Sequence, residues 1–378
     1  MTKAADLANL IGNINAGGGG VNRNLLINGS MNVAQRGTSS TSVGGSSGYF
    51  TCDRWLFGRE AGTEEARFTM TQDTASIDID SLPFQEAGIT TALKMDVTTA
   101  ESSVAAGESS SIMQRIEGFK CSNYDIKTQP ITLSFYAKSD TKTGTMCASL
   151  YASSSGKHHV KEYSITTSWQ RFVLTFPADS GATAIANDNS NELQLSFVLT
   201  AGSNLQVTAD QWASGFDSAT SNQINFADST SNNWYLTGVQ LEVGQNETEF
   251  EREPFDVTLS KCHRYFQKFT SSGAQYQRFG VGLSYSSTAM SCPLFLMNTM
   301  RDVPALGTTG TASNYAVNHN NDTVTVASTV PALASTGDNP TQNIGVTCAV
   351  SSGLDAGDVS MLISNNNTDS FLSLDAEL

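Results

Sequence analysis

The stretch Ile131-Thr132-Leu133-Ser134-Phe135-Tyr136-Ala137 carries an apolar side chain at every second position, Ile131, Leu133, Phe135 and Ala137. Successive side chains of a β-strand point to opposite faces of its sheet, so this alternation predicts a strand with one buried face. The same period of two recurs in residues 93–97, 146–150, 172–176 and 193–199. Many such strands, separated by turn-rich spans, predict an all-β fold and a jelly-roll β-sandwich over residues 21–255.

The alternation returns near the carboxyl end of the sequence. Val324 and Val326 alternate with threonines, and residues 344–350, 359–363 and 372–378 repeat the pattern. We therefore expect a second β-sandwich, distal to the first, over residues 271–378.

A helical spacing separates the two β regions. Apolar side chains recur there at intervals of three and four residues, which is the period of one helix face. They are Leu259, Cys262, Phe266 and Phe269. Asp256 precedes them and can cap a helix, so the sequence predicts one connecting helix over residues 256–270.

Residues 1–20 differ in kind from the rest of the chain. A short apolar stripe predicts a helix that is too short to be stable alone, so it must dock on a partner. The stripe consists of Leu7, Leu10, Ile11 and Ile14. The glycines that follow predict a hinge, because glycine has the least restricted backbone. They are Gly17, Gly18, Gly19 and Gly20. The alternative is an ordinary disordered terminus.

Charge and cysteine content exclude several classes of protein. The chain has 21 Lys and Arg against 36 Asp and Glu, a net charge of -15, and no basic residue follows Arg301. This composition argues against binding to nucleic acid or to an anionic membrane. No apolar run is long enough for a transmembrane helix. The six cysteines are widely spaced and lack zinc-binding patterns, so we expect them to be reduced and buried.

Catalytic and metal-binding motifs are missing. The sequence holds no P-loop, HExxH or complete GxGxxG motif. Gly44-Gly45-Ser46-Ser47-Gly48 matches GxSxG, but we expect neither a strand before it nor a helix after it, as a nucleophile elbow requires. We therefore predict no catalytic residues, no resident metal and no cofactor. A structural calcium at Asn187-Asp188-Asn189-Ser190 is the one cation site considered, and an ordinary polar turn is the alternative.

Two tryptophans are candidate sugar-stacking platforms. Trp212 and Trp234 lie near segments that look like loops, where an exposed ring can stack on a pyranose. Ordinary packing is the alternative for both.

Several motifs follow one another from residue 24 to the end of the chain. They are Asn24-Leu25-Leu26-Ile27-Asn28-Gly29, Gln35-Arg36-Gly37, Asp53-Arg54-Trp55, Gly238-Val239-Gln240-Leu241-Glu242-Val243-Gly244, Cys262-His263-Arg264-Tyr265-Phe266 and Asp375-Ala376-Glu377-Leu378. In order and spacing this series resembles the tail-fibre and related virion fibre proteins of bacteriophages. Their jelly roll is similar to a carbohydrate-binding module.

The resemblance implies a function and a set of partners. It implies a non-enzymatic virion structural protein, a homotrimeric tail fibre on the virion surface that is assembled in the host cytoplasm. Residues 1–20 would attach it to tail or capsid proteins, and it would bind host-surface polysaccharide. A capsid (head) fibre or decoration protein and a glycan-degrading tailspike enzyme are the alternatives. Arg36, Asp53, Arg54 and Trp55 would form a structural network, because a buried Asp–Arg pair requires partners.

Overall fold

The computed structural model describes residues 23–60, 65–78, 84–215, 218–271, 273–320, 322–334 and 341–378. The predicted docking residues Leu7, Leu10, Ile11 and Ile14, and the predicted hinge Gly17 to Gly20, lie outside the described residues. The chain divides into two compact units, Met1–Thr258 and Leu259–Leu378.

The regular secondary structure described for the first unit is mainly β-strand. In chain order its described strands are β1 (Ser39–Val43), β2 (Gly48–Tyr49), β3 (Leu56–Glu60), β4 (Arg67–Asp73), β5 (Ala92–Thr99), β6 (Ser109–Glu117), β7 (Ile131–Ser139), β8 (Gly144–Ala152), β9 (Lys157–Ile165), β10 (Gln170–Phe176), β11 (Asn191–Ala201), β12 (Trp212–Ser214) and β13 (Asn233–Val243). Among the described residues of this unit, two one-turn α-helices lie between strands, α1 (Phe84–Ala87) and α2 (Gly118–Cys121).

These strands form two antiparallel sheets. The six-stranded sheet has the order β1-β4-β5-β13-β7-β10, and the seven-stranded sheet has the order β12-β9-β8-β11-β6-β3-β2. One hydrophobic core is built from the inward side chains of both sheets, as in a sandwich. The predicted jelly-roll β-sandwich is confirmed.

Aromatic rings fill the centre of this core. Phe135 of β7 packs edge-on against Phe197 of β11 with ring centroids 4.9 Å apart, and it stacks on Phe172 of β10 at 5.2 Å. Trp55 and Trp234 are fully buried beside them. Burying each such ring stabilises the fold by about 1.5–3 kcal/mol, so the period of two in the sequence has a direct energetic cause.

Asp53, Arg54 and Trp55 belong to a buried structural network, as the resemblance described above implies. Asp53 accepts hydrogen bonds from the backbone and side chain of Gln35, at 2.9 and 2.5 Å. The Arg54 guanidinium is buried and donates to the Arg115 carbonyl at 2.7 Å. Trp55 Nε1 donates to the Asn28 carbonyl at 3.0 Å. These groups tie the loop before β3 to the body of the sandwich.

The second unit is also β-structured. Its described strands are β14 (Phe266–Thr270), β15 (Arg278–Ser286), β16 (Ala289–Leu294), β17 (Ala305–Thr308), β18 (Tyr315–His319), β19 (Thr323–Val326), β20 (Ala332–Leu333), β21 (Ile344–Ala349), β22 (Val359–Ser364) and β23 (Phe371–Asp375). A three-stranded sheet has the order β14-β23-β17, and a seven-stranded sheet has the order β19-β18-β22-β15-β16-β21-β20. The inward side chains of these sheets form a second hydrophobic core, so the predicted second β domain is confirmed.

The predicted connecting helix is real but shorter than expected. Helix α3 spans Phe255–Cys262, and the segment from Phe266 to Thr270 is strand β14. The prediction of a helix to residue 270 was wrong there, because β14 obtains its backbone hydrogen bonds by pairing with β23 at the end of the chain. A short run with Phe266 and Phe269 fits both a helical and a strand period, and distant pairing decides between them.

Candidate functional site

A polar cleft crosses the seven-stranded sheet of the first unit, on the face opposite the core. Strands β9, β8, β11, β6 and β3 lie side by side there. Their inward residues form the core, so the alternate residues face outward. The cleft has a volume of about 140 Å³. Its lining includes Gly58, Arg59, Ser111, Met113, Arg115, His158, Gln194 and Ser196.

Hydroxyl and amide groups form much of the cleft floor. Ser111 of β6 and Ser196 of β11 are buried in its floor, and Gln194 is half-buried beside them. Gln194 Nε2 lies 3.4 Å from Ser196 Oγ. Such groups both donate and accept hydrogen bonds, as sugar hydroxyls do, so the floor is chemically matched to a saccharide.

Two arginines give the cleft a positive charge on an acidic protein. Arg115 Nε donates to Gln194 Oε1 at 3.1 Å, which holds its side chain along the sheet. Arg59 also contributes to the lining, although its pairing with Ser110 places its side chain on the same side of β3 as Phe57, and its Nη1 donates to the Gly45 carbonyl at 2.9 Å. Among the described residues of the lining, Glu60 is the one acid beside the two arginines, whereas the chain as a whole carries a net charge of -15.

The loop before β2 forms one wall of the cleft. Ser47 Oγ accepts a hydrogen bond from the Arg59 backbone N–H at 3.0 Å. This loop contains the GxSxG match, and the sequence expectation about its context was partly wrong. Strand β1 ends at Val43, directly before it, but β2 and not a helix follows. The context of a nucleophile elbow is therefore incomplete.

Gly58 lies in the floor of the cleft beside Met113. A Cβ atom on Gly58 would lie 2.1 Å from Met113 Cε, so the Met113 side chain occupies the space above this glycine. Met113 Cε is the end of a flexible side chain, so a larger residue at position 58 would displace it.

His158 and His159 point to opposite faces of the sheet, as neighbours on a strand do. His158 faces the cleft, where its Nδ1 lies 3.2 Å from Ser149 Oγ and its ring 4.7 Å from that of Tyr151. His159 faces the core, edge-on to Phe176 at 5.5 Å. Burial lowers the pKa of both imidazoles to about 4, so both are neutral at pH 7.

Neither predicted tryptophan platform lies in the cleft. Trp234 is fully buried in the core, so its ring cannot stack on a sugar and that prediction is wrong. Its alternation with Leu236 along β13 explains the burial. Trp212 is half-buried on β12, paired with His159 and therefore on the core side of the sheet. Its Nε1 donates to the Pro177 carbonyl at 2.9 Å.

The loop considered for calcium is a hydrogen-bonded turn. Asp188 Oδ1 accepts from the Ser190 backbone N–H at 2.9 Å, and Asn187 Oδ1 accepts from Ser122 Oγ at 3.0 Å. Across the described ranges, no group of three or more His, Cys, Asp or Glu is arranged to hold a metal ion.

The state of the cysteines agrees with the prediction that they are reduced and buried. All six cysteines are free and buried, and burial raises the pKa of Cys52 and Cys121 to about 12. No helix among the described residues is long and apolar enough to cross a membrane.

Comparison with known proteins gives fold-level likeness only. No protein-family model and no curated protein match the chain. A structure titled as a family 4 carbohydrate-binding module matches at 12% identity, over 57% of this chain and 97% of its own, with a TM-score of 0.30. A family 11 module from Clostridium thermocellum, in complex with a mixed-linked tetrasaccharide, matches at 12%, over 56% and 98%, with a TM-score of 0.28. The enzymatically active domain of tailspike protein 4 of bacteriophage CBA120 matches at 14%, over 58% and 21%, also at 0.28.

The cleft residues were not predicted from the sequence. Gln194 alternates with Leu193 and Leu195 in a run that the sequence marks as a strand, but β3 and β6, which carry Arg59 and Arg115, were not predicted. Once the strand order is known, alternation places Arg115 and Gln194 on the outward face, whereas Arg59 lies on the same side of β3 as Phe57.

Proposed function

We propose that this protein is a non-enzymatic virion fibre that binds an acidic saccharide in the outer cleft of its first unit. One observation carries the binding proposal. A shallow cleft lined by hydroxyl and amide groups holds Arg59 and Arg115 on a chain of net charge -15. Guanidinium groups favour carboxylate and sulfate partners, because they offer paired N–H donors in one plane.

A carboxylate-bearing sugar fits this cleft better than a neutral one. Its hydroxyls would exchange hydrogen bonds with Ser111, Ser196 and Gln194, and its charge would lie against Arg115. No tryptophan lines the cleft, so stacking contributes less here than hydrogen bonding and charge. Affinity should therefore fall as salt is raised, since a partly exposed charge pair is screened.

The virion role rests on the ordered series of motifs from residue 24 to residue 378. We propose a homotrimeric tail fibre on the virion surface, attached through residues 1–20 to tail or capsid proteins. Loss of residues 1–20 should abolish incorporation into particles. Incorporation that is unchanged by this deletion would contradict the attachment role. Antibody labelling of intact particles would distinguish a tail fibre from a capsid fibre or decoration protein.

Titration of the intact chain with an acidic polysaccharide tests the binding site. A charged hydrogen bond contributes about 1.5–3 kcal/mol, so Arg115→Gln should weaken binding by about 10- to 100-fold. Arg171→Gln is the matched control, because Arg171 lies on β10 of the other sheet and pairs there with Glu247. Equal loss in both variants would overturn the assignment of the cleft.

A carboxyl-reduced form of the same polysaccharide tests the ligand class. It should bind weakly to the wild type and be insensitive to Arg115→Gln. Following polymer length during the same incubation tests the enzymatic alternative. A fall in chain length would favour a glycan-degrading tailspike.

A further inference from the structure

A second polar pocket lies in the first unit, apart from the cleft. It has a volume of about 710 Å³, which is within the roughly 300–1,000 Å³ of small-molecule sites. Glu162 of β9 lines it together with the hydroxyl and amide side chains of Ser203, Thr208, Ser221, Gln206 and Asn222. None of these residues belongs to the described lining of the cleft.

The register of β8 and β9 places Glu162 on the outward face of the seven-stranded sheet. Glu162 pairs directly with Cys147 and is two residues from Val160. Cys147 and Val160 belong to a small apolar cluster that is separate from the main core. Since residues that lie opposite each other or two apart share a face, Glu162 lies on the same outward side as this cluster.

The wall of the pocket is anchored to this face. Residues 203–209 and 218–223 supply it. Ala219 is buried in the small apolar cluster, and its carbonyl accepts a hydrogen bond from the Val207 backbone N–H at 2.8 Å. Gln223 Oε1 accepts a backbone N–H of β8 at 2.7 Å. The backbone that carries the hydroxyl and amide groups is therefore fixed before a ligand binds, which lowers the entropic cost of binding.

One oxygen of the Glu162 carboxylate is held, and the other is open to a ligand. Oε1 accepts hydrogen bonds from Thr220 Oγ1 at 2.5 Å and from Asn222 Nδ2 at 3.1 Å. Oε2 has no hydrogen-bond partner among the described residues, and Glu162 is only half-buried. The carboxylate thus offers a charged acceptor in a fixed position, and charged hydrogen bonds are roughly twice as strong as neutral ones.

No basic side chain neutralises this carboxylate. Among the described residues, no lysine or arginine lines the pocket or forms an ion pair with Glu162. The neighbouring Lys161 pairs with Asp210 instead. A cationic ligand would gain an attraction that no side chain already supplies, whereas an acidic sugar would be repelled. The pocket therefore differs from the cleft in the charge of the ligand that it accepts.

We propose that this pocket binds a sugar residue that carries a protonated amine. The ammonium group donates to Glu162 Oε2, and the sugar hydroxyls exchange hydrogen bonds with groups such as Ser203 and Thr208. No aromatic residue is among the described residues of the lining, so charge and hydrogen bonding decide affinity, and ring stacking does not. The site goes beyond the proposed acidic-sugar cleft and does not depend on it.

Two oligosaccharides that differ only in their amines test the ligand class. The full chain is titrated in mildly acidic buffer with a glucosamine tetramer and with the same tetramer after acetylation of every amine. The free-amine tetramer should bind roughly 10-fold more tightly, because its hydrogen bond to Glu162 is charged on both sides. Equal binding of the two tetramers would overturn the assignment of an amine.

Replacing Glu162 tests the site itself. Glu162→Gln removes the charge but keeps an oxygen for Thr220 and Asn222. It should weaken binding of the free-amine tetramer by about 10- to 100-fold and leave the acetylated tetramer almost unaffected. Glu247→Gln is the matched control, because it removes the same charge from a residue that pairs with Arg171 of the other sheet. Equal weakening by both variants would mean that the tetramer binds the acidic surface as a whole, and would overturn the site.

A second variant keeps the test informative if Glu162→Gln does not fold. Thr208 is exposed in the lining of the pocket, so Thr208→Lys leaves the buried contacts in place and brings a competing ammonium group to the site. Binding of the free-amine tetramer should fall. Thr98→Lys adds the same charge at an exposed position of β5 in the other sheet, so its binding should match the wild type. Unchanged affinity in Thr208→Lys would overturn the site.

The pocket and the cleft can fail separately. Arg115→Gln should leave binding of the glucosamine tetramer unchanged, and Glu162→Gln should leave binding of the acidic polysaccharide unchanged. Loss of tetramer binding in Arg115→Gln would move the amine-bearing sugar to the cleft and overturn the pocket. A simple diamine without hydroxyls should bind far more weakly than the tetramer, and equal affinity would overturn the assignment of a sugar.

Discussion

His159 should make the first unit sensitive to acid. Its ring lies in the core of the sandwich, edge-on to Phe176 at 5.5 Å and to Trp212 at 5.3 Å. Neither ring nitrogen has a hydrogen-bond partner within the part of the chain that the structure describes. Burial lowers the pKa of the imidazole to about 4 from the usual 6.5, so folding favours the neutral ring.

The sign and size of the effect follow from this pKa. Between pH 6.5 and pH 4 the unfolded chain binds a proton at His159 that the folded chain does not, so stability falls as the pH falls through that window. The stabilisation that comes from keeping this ring neutral is fully present above pH 6.5. Each pKa unit corresponds to about 1.36 kcal/mol, so the 2.5-unit difference from 6.5 to 4 gives about 3 kcal/mol lost between pH 7 and pH 4.

Urea unfolding at pH 7, 6, 5 and 4 measures this loss. All four tryptophans lie in the first unit, so their fluorescence reports on it alone. His159→Phe keeps an aromatic ring but cannot titrate. It should lose about 3 kcal/mol less than the wild type between pH 7 and pH 4, whatever its stability at pH 7. Phe176→Leu perturbs the same cluster without removing the proton site, so its pH dependence should match the wild type. Parallel pH curves for His159→Phe and the wild type would refute the reasoning.

Three further predictions concern packing. Thiol reagents should leave the wild type unmodified at pH 8 and label six cysteines in denaturant, because burial raises the pKa of thiols such as Cys52. Rapid labelling of the native chain would contradict this. Gly118→Ala should lower the stability of the first unit by several kcal/mol in urea unfolding, because its Cβ would lie 2.0 Å from the Ala186 carbonyl oxygen. Stability equal to the wild type would show that the loop moves freely. Tyr315→Phe should lower the free energy of unfolding of the second unit by about 1–3 kcal/mol and so lower its melting temperature. The buried Tyr315 hydroxyl donates to the Phe371 carbonyl at 2.6 Å, and the variant leaves that carbonyl without this donor. An unchanged melt, followed by circular dichroism, would contradict that role.

The strands were predictable because apolar side chains alternate with polar ones along them, although central strands such as β7 and β13 are buried on both faces. Residues 131–137 alternate so strictly that β7 and its core-facing side follow from the sequence alone. Strand order was not predictable in the same way. The pairing of β14 with β23 joins segments about a hundred residues apart, and nothing local in the run around Phe266 distinguishes it from a helix.

The cleft escaped prediction for a related reason. Polar outward residues such as Arg115 and Gln194 resemble any solvated strand face until the neighbouring strands are known. Trp234 shows the opposite error. A tryptophan near a loop suggests a binding role, but Trp234 is two residues from Leu236. This spacing already placed Trp234 with the core-facing residues of β13.

The proposed cleft and the proposed homotrimer complement each other energetically. A cleft of about 140 Å³ with few aromatic contacts binds a single sugar unit weakly. A homotrimer would present several such clefts to one polymer. After the first cleft binds, the others meet the polymer at a high local concentration, and avidity can exceed single-site affinity by about 10²–10⁴. Assembly would therefore control polymer binding without changing the cleft. The wild-type chain should bind a long acidic polymer far more tightly than a short oligosaccharide of the same sugar, and Arg115→Gln should weaken the binding of both. Equal affinity of the wild type for the two ligands would mean that multivalency contributes nothing.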